Sequence, residues 1–392
     1  MRAHVGKRIR LAMLTALTAL TLDVAVGPTA AARSASSEDP LSLVALLIQD
    51  GNLNRAEAVL DRISPAVDGD LDTGRYWTLQ GLVSLRQGDP AQAADALTRA
   101  LDLVEGGPDP QLVLSLARAR VLSGDQRAAL EALARGGEIL DAFPSAYLIA
   151  ARAHRDLSEP GQAWTWLERG AERFPHQVDF VRQQVLLLVE MGLSQEAGLR
   201  AHALLGRPDG TADDALTVAE AFRSNGDHAR AASVLEEARL RFGGDDRLQV
   251  RLASVYAGAD QPLAAARLLQ VASGADPDLA DEAAELFRRA GKLDAALMMN
   301  GQVADPVEKA RQRFGLLLDG QDFARAVALQ PRLSRLGLLD DDAVRYGLAY
   351  GWFRLEDFDR CEDLLAGISD PRIFRQATEL RRAIQAAHGT EG

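Results

Sequence analysis

One small residue recurs along this chain at nearly constant spacing. Ala56, Ala93, Ala129, Ala163, Ala197, Ala231, Ala265, Ala296 and Ala326, followed by Cys361, are separated by steps of 37, 36, 34, 34, 34, 34, 31, 30 and 35. In an Ala-rich chain such spacing needs an independent marker. One stands five residues before each member: Gly51, Gly88, Gly124, Ser158, Gly192, Gly226, Asp260, Gly291, Gln321 and Glu356. Six of these ten are Gly, where 33 Gly in 392 residues predicts fewer than one. At about 100 to 200 residues per domain this length would imply two or three globules. A repeat of this size instead implies units that bury their apolar faces only by stacking on one another.

Each part of the repeat has a physical reason. From Leu41 onward the chain reads as helix-length apolar segments broken by Gly, Asp and Pro, with no alternating β-branched run that would indicate a strand. In the sixth repeat Ala215, Val218, Ala219 and Phe222 share one face of a first helix. Asn225-Gly226 ends that helix in the left-handed conformation that Gly adopts cheaply, and Asp227 is placed to cap the second helix. The second helix presents Ala231, Leu235 and Ala238. Ala219 and Ala231 are small because the two helices cross closely there, and Ala238 because the next first helix packs on it.

This pattern resembles the tetratricopeptide repeat, a helix-turn-helix unit of about 34 residues. The second repeat matches best, with Trp77, Gly81, Gly88, Asp89, Ala93, Leu97 and Ala100 in the family's aromatic, turn and small positions. Pro175 closes the fourth repeat, and Phe222 and Tyr256 take the aromatic position of the sixth and seventh. The resemblance implies an all-α, right-handed α-solenoid of about ten repeats over residues 41–370, followed by a capping helix at 371–388. Departures from small residues at Val185 and Leu204, at Phe314 and Leu333, and at Cys361 predict wider or irregular packing. In the last segment Asp370-Pro371 starts a helix whose apolar residues are Ile373, Phe374, Ala377, Leu380 and Ile384.

The N-terminus bears on the compartment. Arg2, Lys7, Arg8 and Arg10 precede an apolar run from Leu11 to Leu22, and Ala30, Ala31 and Ala32 follow. This is the layout of a secretory signal peptide over residues 1–32, with residues 33–40 as a linker. The apolar run is too short for a membrane span, which needs about 20 residues. The expectation is therefore a periplasmic or secreted protein with no integral membrane domain after cleavage. A retained anchor is the alternative. The formal charge of −12 makes nucleic acid a poor partner, since binding to phosphate polyanions depends on basic residues. Only Lys7, Lys292 and Lys309 are lysines, so the basic charge is almost all Arg.

Catalytic constellations are not apparent. His4, His154, His176, His202, His228 and His388 form no zinc-binding pattern, so no metal is expected. Neither a P-loop nor a G-x-S-x-G motif occurs, and the glycines serve as helix ends, so the reading is a non-enzyme without a cofactor. Cys361 falls at a buried position, which favours a structural thiol. The resemblance implies that first helices line a groove for a protein or peptide partner. Arg75, Arg118, Arg152, Arg155 and Arg182 lie off the apolar stripe in the first half, with Glu220, Asp278, Asp281, Glu285, Arg311, Tyr346 and Tyr350 in the second. The arginines either receive an anionic ligand, which could be an acidic peptide or an anionic glycan, or pair with neighbouring acids. Trp164 and Trp166 alternate on one second helix, so one of them, Trp166, is expected to be partly exposed.

Overall fold

The computed structural model describes residues 39–64 and 71–389. The signal-peptide segment 1–32 lies outside them, as does the linker except for its last two residues. Those two belong to the fold: Asp39 accepts from the Leu41 amide at 3.0 Å and caps a helix that begins at Pro40.

Nine of the ten repeats read from the sequence are pairs of helices, and among the described residues there is no strand. The first five pairs are α1 (Pro40–Gln49) with α2 (Leu53–Leu60), α3 (Thr73–Gln87) with α4 (Pro90–Asp102), α5 (Pro110–Ser123) with α6 (Gln126–Gly136), α7 (Pro144–Asp156) with α8 (Pro160–Arg173), and α9 (Val178–Glu190) with α10 (Ser194–Gly206). The next three are α11 (Ala212–Ser224) with α12 (His228–Arg241), α13 (Asp246–Gly258) with α14 (Pro262–Ala272), and α15 (Ala280–Arg289) with α16 (Leu293–Asn300). In the ninth, α17 (Pro306–Asp319) is followed by two short pieces, α18 (Phe323–Val327) and α19 (Gln330–Arg335). The tenth pairs α20 (Asp342–Arg354) with α21 (Phe358–Ala366), and α22 (Pro371–Gly389) ends the chain. The pairs fall into two compact units that divide between Gly210 and Thr211.

The ten marker residues share one conformation. All six glycines have positive φ, from 69° to 89°, and among the described residues the non-glycine ones with positive φ are Ser158, Asp260, Gln321 and Glu356. These four stand at the marker position of repeats that lack Gly. The turn is a Schellman closure. In the sixth repeat the Asp227 amide donates to the Phe222 carbonyl at 2.9 Å and the Gly226 amide to that of Arg223 at 3.0 Å. At Glu356 the same two bonds run from Asp357 to Trp352 and from Glu356 to Phe353, each 3.0 Å. The ten aligned small residues, Ala56 through Cys361, are all buried.

Packing within each unit follows from these positions. In the first unit Gly170 occupies the register of Ala238, and a Cβ there would run into the ring of Phe180 on the next first helix. Tyr147 packs edge-on to Trp166, Phe174 and Phe180, with centroids 5.7, 5.8 and 6.4 Å away. Both Trp164 and Trp166 are half-buried, so partial exposure does not single out Trp166. Arg200 covers Trp164 at 4.7 Å and Arg169 covers Trp166 at 5.2 Å.

In the second unit the short steps of 31 and 30 correspond to a shortened α15 and α16 of 10 and 8 residues. The bulky Phe314 is matched by Gly347 of α20, where a Cβ would lie 3.0 Å from its ring. The fifth repeat accommodates Val185 and Leu204, both buried, in helices of ordinary length, whereas the ninth is broken. Along α22, Ala377, Leu380 and Ile384 are buried, but Phe374 is 53% exposed. Phe374 thus lies off the packed stripe of Ile373, Ala377, Leu380 and Ile384, about 100° around the helix from Ile373.

Candidate functional site

The first helices of the first unit carry the arginines singled out above, and the structure sorts them by partner. Arg75 of α3 reaches Asp39, at the cap of α1, at 2.9 Å and also donates to Ser42. It ties the second repeat to the first. Arg182 pairs with Asp179 one turn away on α9. Arg155 lies 3.4 Å from Asp156 and 3.9 Å from Glu190. These three arginines are engaged by acids of their own or an adjoining repeat.

Arg152 likewise lies against an acid of its own helix, Asp156, and it shares a second feature with Arg118. They stand 34 residues apart at the same register position, eleven before Ala129 and Ala163, on consecutive first helices α5 and α7. Arg118 is half-buried, and burial is the main cause that pulls its pKa below the usual arginine value. The positive charges of Arg152 and Arg86 lower it further. Arg152 Nε is buried without a hydrogen bond, its nearest carboxylate oxygen being Asp156 Oδ2 at 3.6 Å. Arg86, in the last turn of α3, donates to the Ile48 carbonyl at 2.6 Å. Three successive repeats thus bring guanidinium groups within electrostatic reach of one another. Sequence reasoning did not include Arg86, which falls on a different turn of its helix from Arg118 and Arg152. Its contact with α1 brings it into the group.

In the second unit Glu220, Glu285 and Arg311 of the corresponding face pair with charges of opposite sign. Glu220 accepts from Arg223 at 2.5 Å and lies 3.5 Å from Arg251. Hydrogen bonds from Arg223 hold its carboxyl below the usual carboxylate range despite partial burial. Glu285 pairs with Arg288 at 2.6 Å, and Arg288 reaches Asp319 at 2.8 Å. Arg311 meets Asp341 at 2.8 Å. Tyr350 accepts from Arg354 at 3.0 Å, and burial pushes the Tyr346 hydroxyl pKa up. Asp278 and Asp281 lie near the start of the eighth repeat, where Asp281 accepts from the Glu282 amide.

Cys361 is fully buried, and its thiol is pushed up to about 11, chiefly by burial. Such a thiol supplies almost no nucleophilic thiolate at neutral pH. Among the described residues no group of three or more His, Cys, Asp or Glu is placed to hold a metal ion, and no helix is long and apolar enough to cross a membrane.

No family model matches the sequence, and no curated protein matches it. Among solved structures, a tetratricopeptide repeat protein from Parabacteroides merdae is similar at 13% identity and a TM-score of 0.40, over 59% of this chain and 93% of that one. TTC0263, a TPR protein of Thermus thermophilus, is similar at 22% identity and a TM-score of 0.36, over 46% and 98%. PilF of Pseudomonas aeruginosa is similar at 14% identity and a TM-score of 0.41, over 56% and 96%. Values this low carry no functional argument. What identifies the fold is the chain's own geometry, nine helix pairs and one repeat with a split second helix, each with a left-handed marker residue and a buried small residue five positions later. The chain is an all-α array of tetratricopeptide-like repeats.

Proposed function

We propose that the protein is a non-catalytic scaffold that holds an acidic, extended segment of a partner protein against the first helices of its early repeats. The observation that carries this reading is the convergence of Arg86, Arg118 and Arg152 from three successive repeats, with Arg152 Nε buried and making no hydrogen bond. Mutually repelling, partly desolvated guanidiniums are stabilised by a carboxylate that bridges them. Adjacent packed helices lie about 8 to 10 Å apart. One turn of a polyproline II segment, three residues at about 3.1 Å each, covers the same distance and returns side chains to one face, so acids at every third position of a partner suit the ladder.

The basic and apolar N-terminal segment supports an exported protein, and with it a place in the cell envelope, in the assembly of an export, exopolysaccharide or pilus machine. An anionic polysaccharide suits the same arginines as an alternative ligand. A membrane-tethered or intracellular adaptor is the reading if the N-terminal segment is retained. Fractionation with N-terminal sequencing separates these: a mature chain beginning near Arg33 supports export, and an intact Met1 overturns export by cleavage.

The binding test uses a labelled peptide with Glu at every third position, beside a uronate-rich polysaccharide on a glycan affinity column. Capture of the peptide by the wild type and its loss in Arg118→Glu/Arg152→Glu is the expected result, with the paired, exposed Arg325→Glu as control. Unchanged capture by the double variant, with an unchanged melting curve, overturns the reading. Retention of the polysaccharide alone transfers the site to the glycan.

A further inference from the structure

The ninth repeat is the one whose second helix is broken, and the break opens a cleft. Pro331 has no amide hydrogen to return to the Val327 carbonyl, so α18 stops at Val327 and α19 restarts at Gln330. Between these pieces and the tenth repeat lies an open cleft of about 550 Å³, within the usual size range of small-ligand sites. Pro331, Leu339 and Trp352 supply its apolar surface, and Gln330, Ser334 and Arg360 its polar groups.

The cleft is held by specific contacts. Trp352 Nε1 donates to Gln330 Oε1 at 2.9 Å, which fixes the indole across the break. The Arg360 guanidinium lies 4.4 Å from the indole centroid. It has only a loose pairing, with Asp357 Oδ2 at 3.5 Å, and its side chain is 61% exposed. Arg360 is the one charged residue among those lining the cleft, and the Asp357 carboxylate touches its guanidinium from the Nε side, outside the lining.

We propose that the cleft binds a carboxylate carried on an apolar body. The carboxylate lies on the Arg360 guanidinium with Ser334 as a further donor, and the apolar part packs on Pro331, Leu339 and the indole. Two sources share this chemistry, a free small carboxylate and the C-terminus of a peptide ending in an apolar residue.

The test follows the indole N–H signals of the full-length, ¹⁵N-labelled protein, with Trp352 assigned by Trp352→Phe. N-acetyl-leucine is expected to shift the Trp352 signal saturably, and its uncharged amide, N-acetyl-leucinamide, to bind about tenfold or more weakly. Arg360→Gln is expected to remove that difference without changing the melting temperature, since the side chain is exposed. A pentapeptide ending in a free Leu carboxylate distinguishes the sources: tighter binding than N-acetyl-leucine assigns the site to a peptide terminus, and equal binding to a small carboxylate. No saturable shift at Trp352, equal binding of acid and amide, or unchanged binding in Arg360→Gln overturns the proposal.

Discussion

A residue held at positive φ carries a cost that depends on whether it has a Cβ. Four of the ten repeat turns bear that cost, at Ser158, Asp260, Gln321 and Glu356. They tolerate it because the closing bonds and the buried crossing five residues later over-determine the turn. At Gly226 no atom lies within 4 Å of a notional Cβ, so substitution there is opposed by backbone conformation and not by crowding. Glu356→Gly is therefore expected to stabilise by about 0.5 to 1 kcal/mol, the left-handed cost less the entropy Gly adds to the unfolded chain. Gly226→Ala is expected to destabilise by about 1 kcal/mol. Urea midpoints at unchanged m-value measure both. Cys361 offers a second check at this scale. As the chain's single cysteine, buried and with its thiol pKa raised, it should resist Ellman's reagent in the native protein and react fully once unfolded.

At the scale of the helix, large and small residues trade places between neighbours. Phe314 departs from the small-residue rule of its position, and Gly347 on α20 makes room for it, with Leu318 2.9 Å from the missing Cβ. Gly347→Ala is expected to cost about 1 to 3 kcal/mol by overpacking. Phe314→Leu alone leaves a void, and the double variant should be less destabilised than the sum of the two singles. An additive result in the double-mutant cycle would show that the two positions are not coupled. Helix starts follow simpler rules. Asp89, Asp125, Asp227, Asp322 and Asp357 each cap a second helix directly after the turn, whereas Leu193 and Lys292 at the same place make no such bond. These features were open to sequence reasoning because turn, cap and crossing all lie within a dozen residues. The broken α18/α19 was not foreseen, although Pro331 was its visible signal. The exposure of Phe374 follows from the helical period, which sets it to one side of the stripe of Ile373, Ala377, Leu380 and Ile384, although all five are apolar.

Over the whole molecule, ion pairs link successive repeats within each unit: Arg75 with Asp39 in the first, and Arg247 with Asp213 and Arg288 with Asp319 in the second. Exposed pairs of this kind contribute about 0 to 1 kcal/mol each, so they order the surface more than they stabilise it. Their pH dependence has a definite sign. Arginine hydrogen bonds hold Glu220, Asp245 and Asp370 below the usual carboxylate range, and Ser369 and Asp370 backbone amides do so for Asp342. A carboxylate with a lowered folded pKa adds stability above its unfolded value, about 4, and loses it as pH falls through the folded one. The melting temperature is therefore expected to hold from pH 7 to about 5 and to fall below about pH 4. In Arg223→Gln the share due to Glu220 should shrink, with Arg251 and Ser224 retaining the remainder, which flattens the acid limb.

Local chemistry settled the repeat. Ala or Cys at the crossing, Gly at the turn and Asp at the cap act on backbone torsions and close contacts within one helix pair, so their positions are legible in the chain order itself. Pairing among the arginines was not legible, because a guanidinium on one first helix meets whatever the adjoining repeat presents some 30 residues away. Arg75 finds Asp39, whereas Arg118 meets Arg152 and Arg86. Sequence alone could place five candidate arginines on one kind of face. Only the packing of neighbouring helices decided which of them meet across repeats and which like charges come together, because burial and charge proximity between helices are properties of the stack and not of the single repeat.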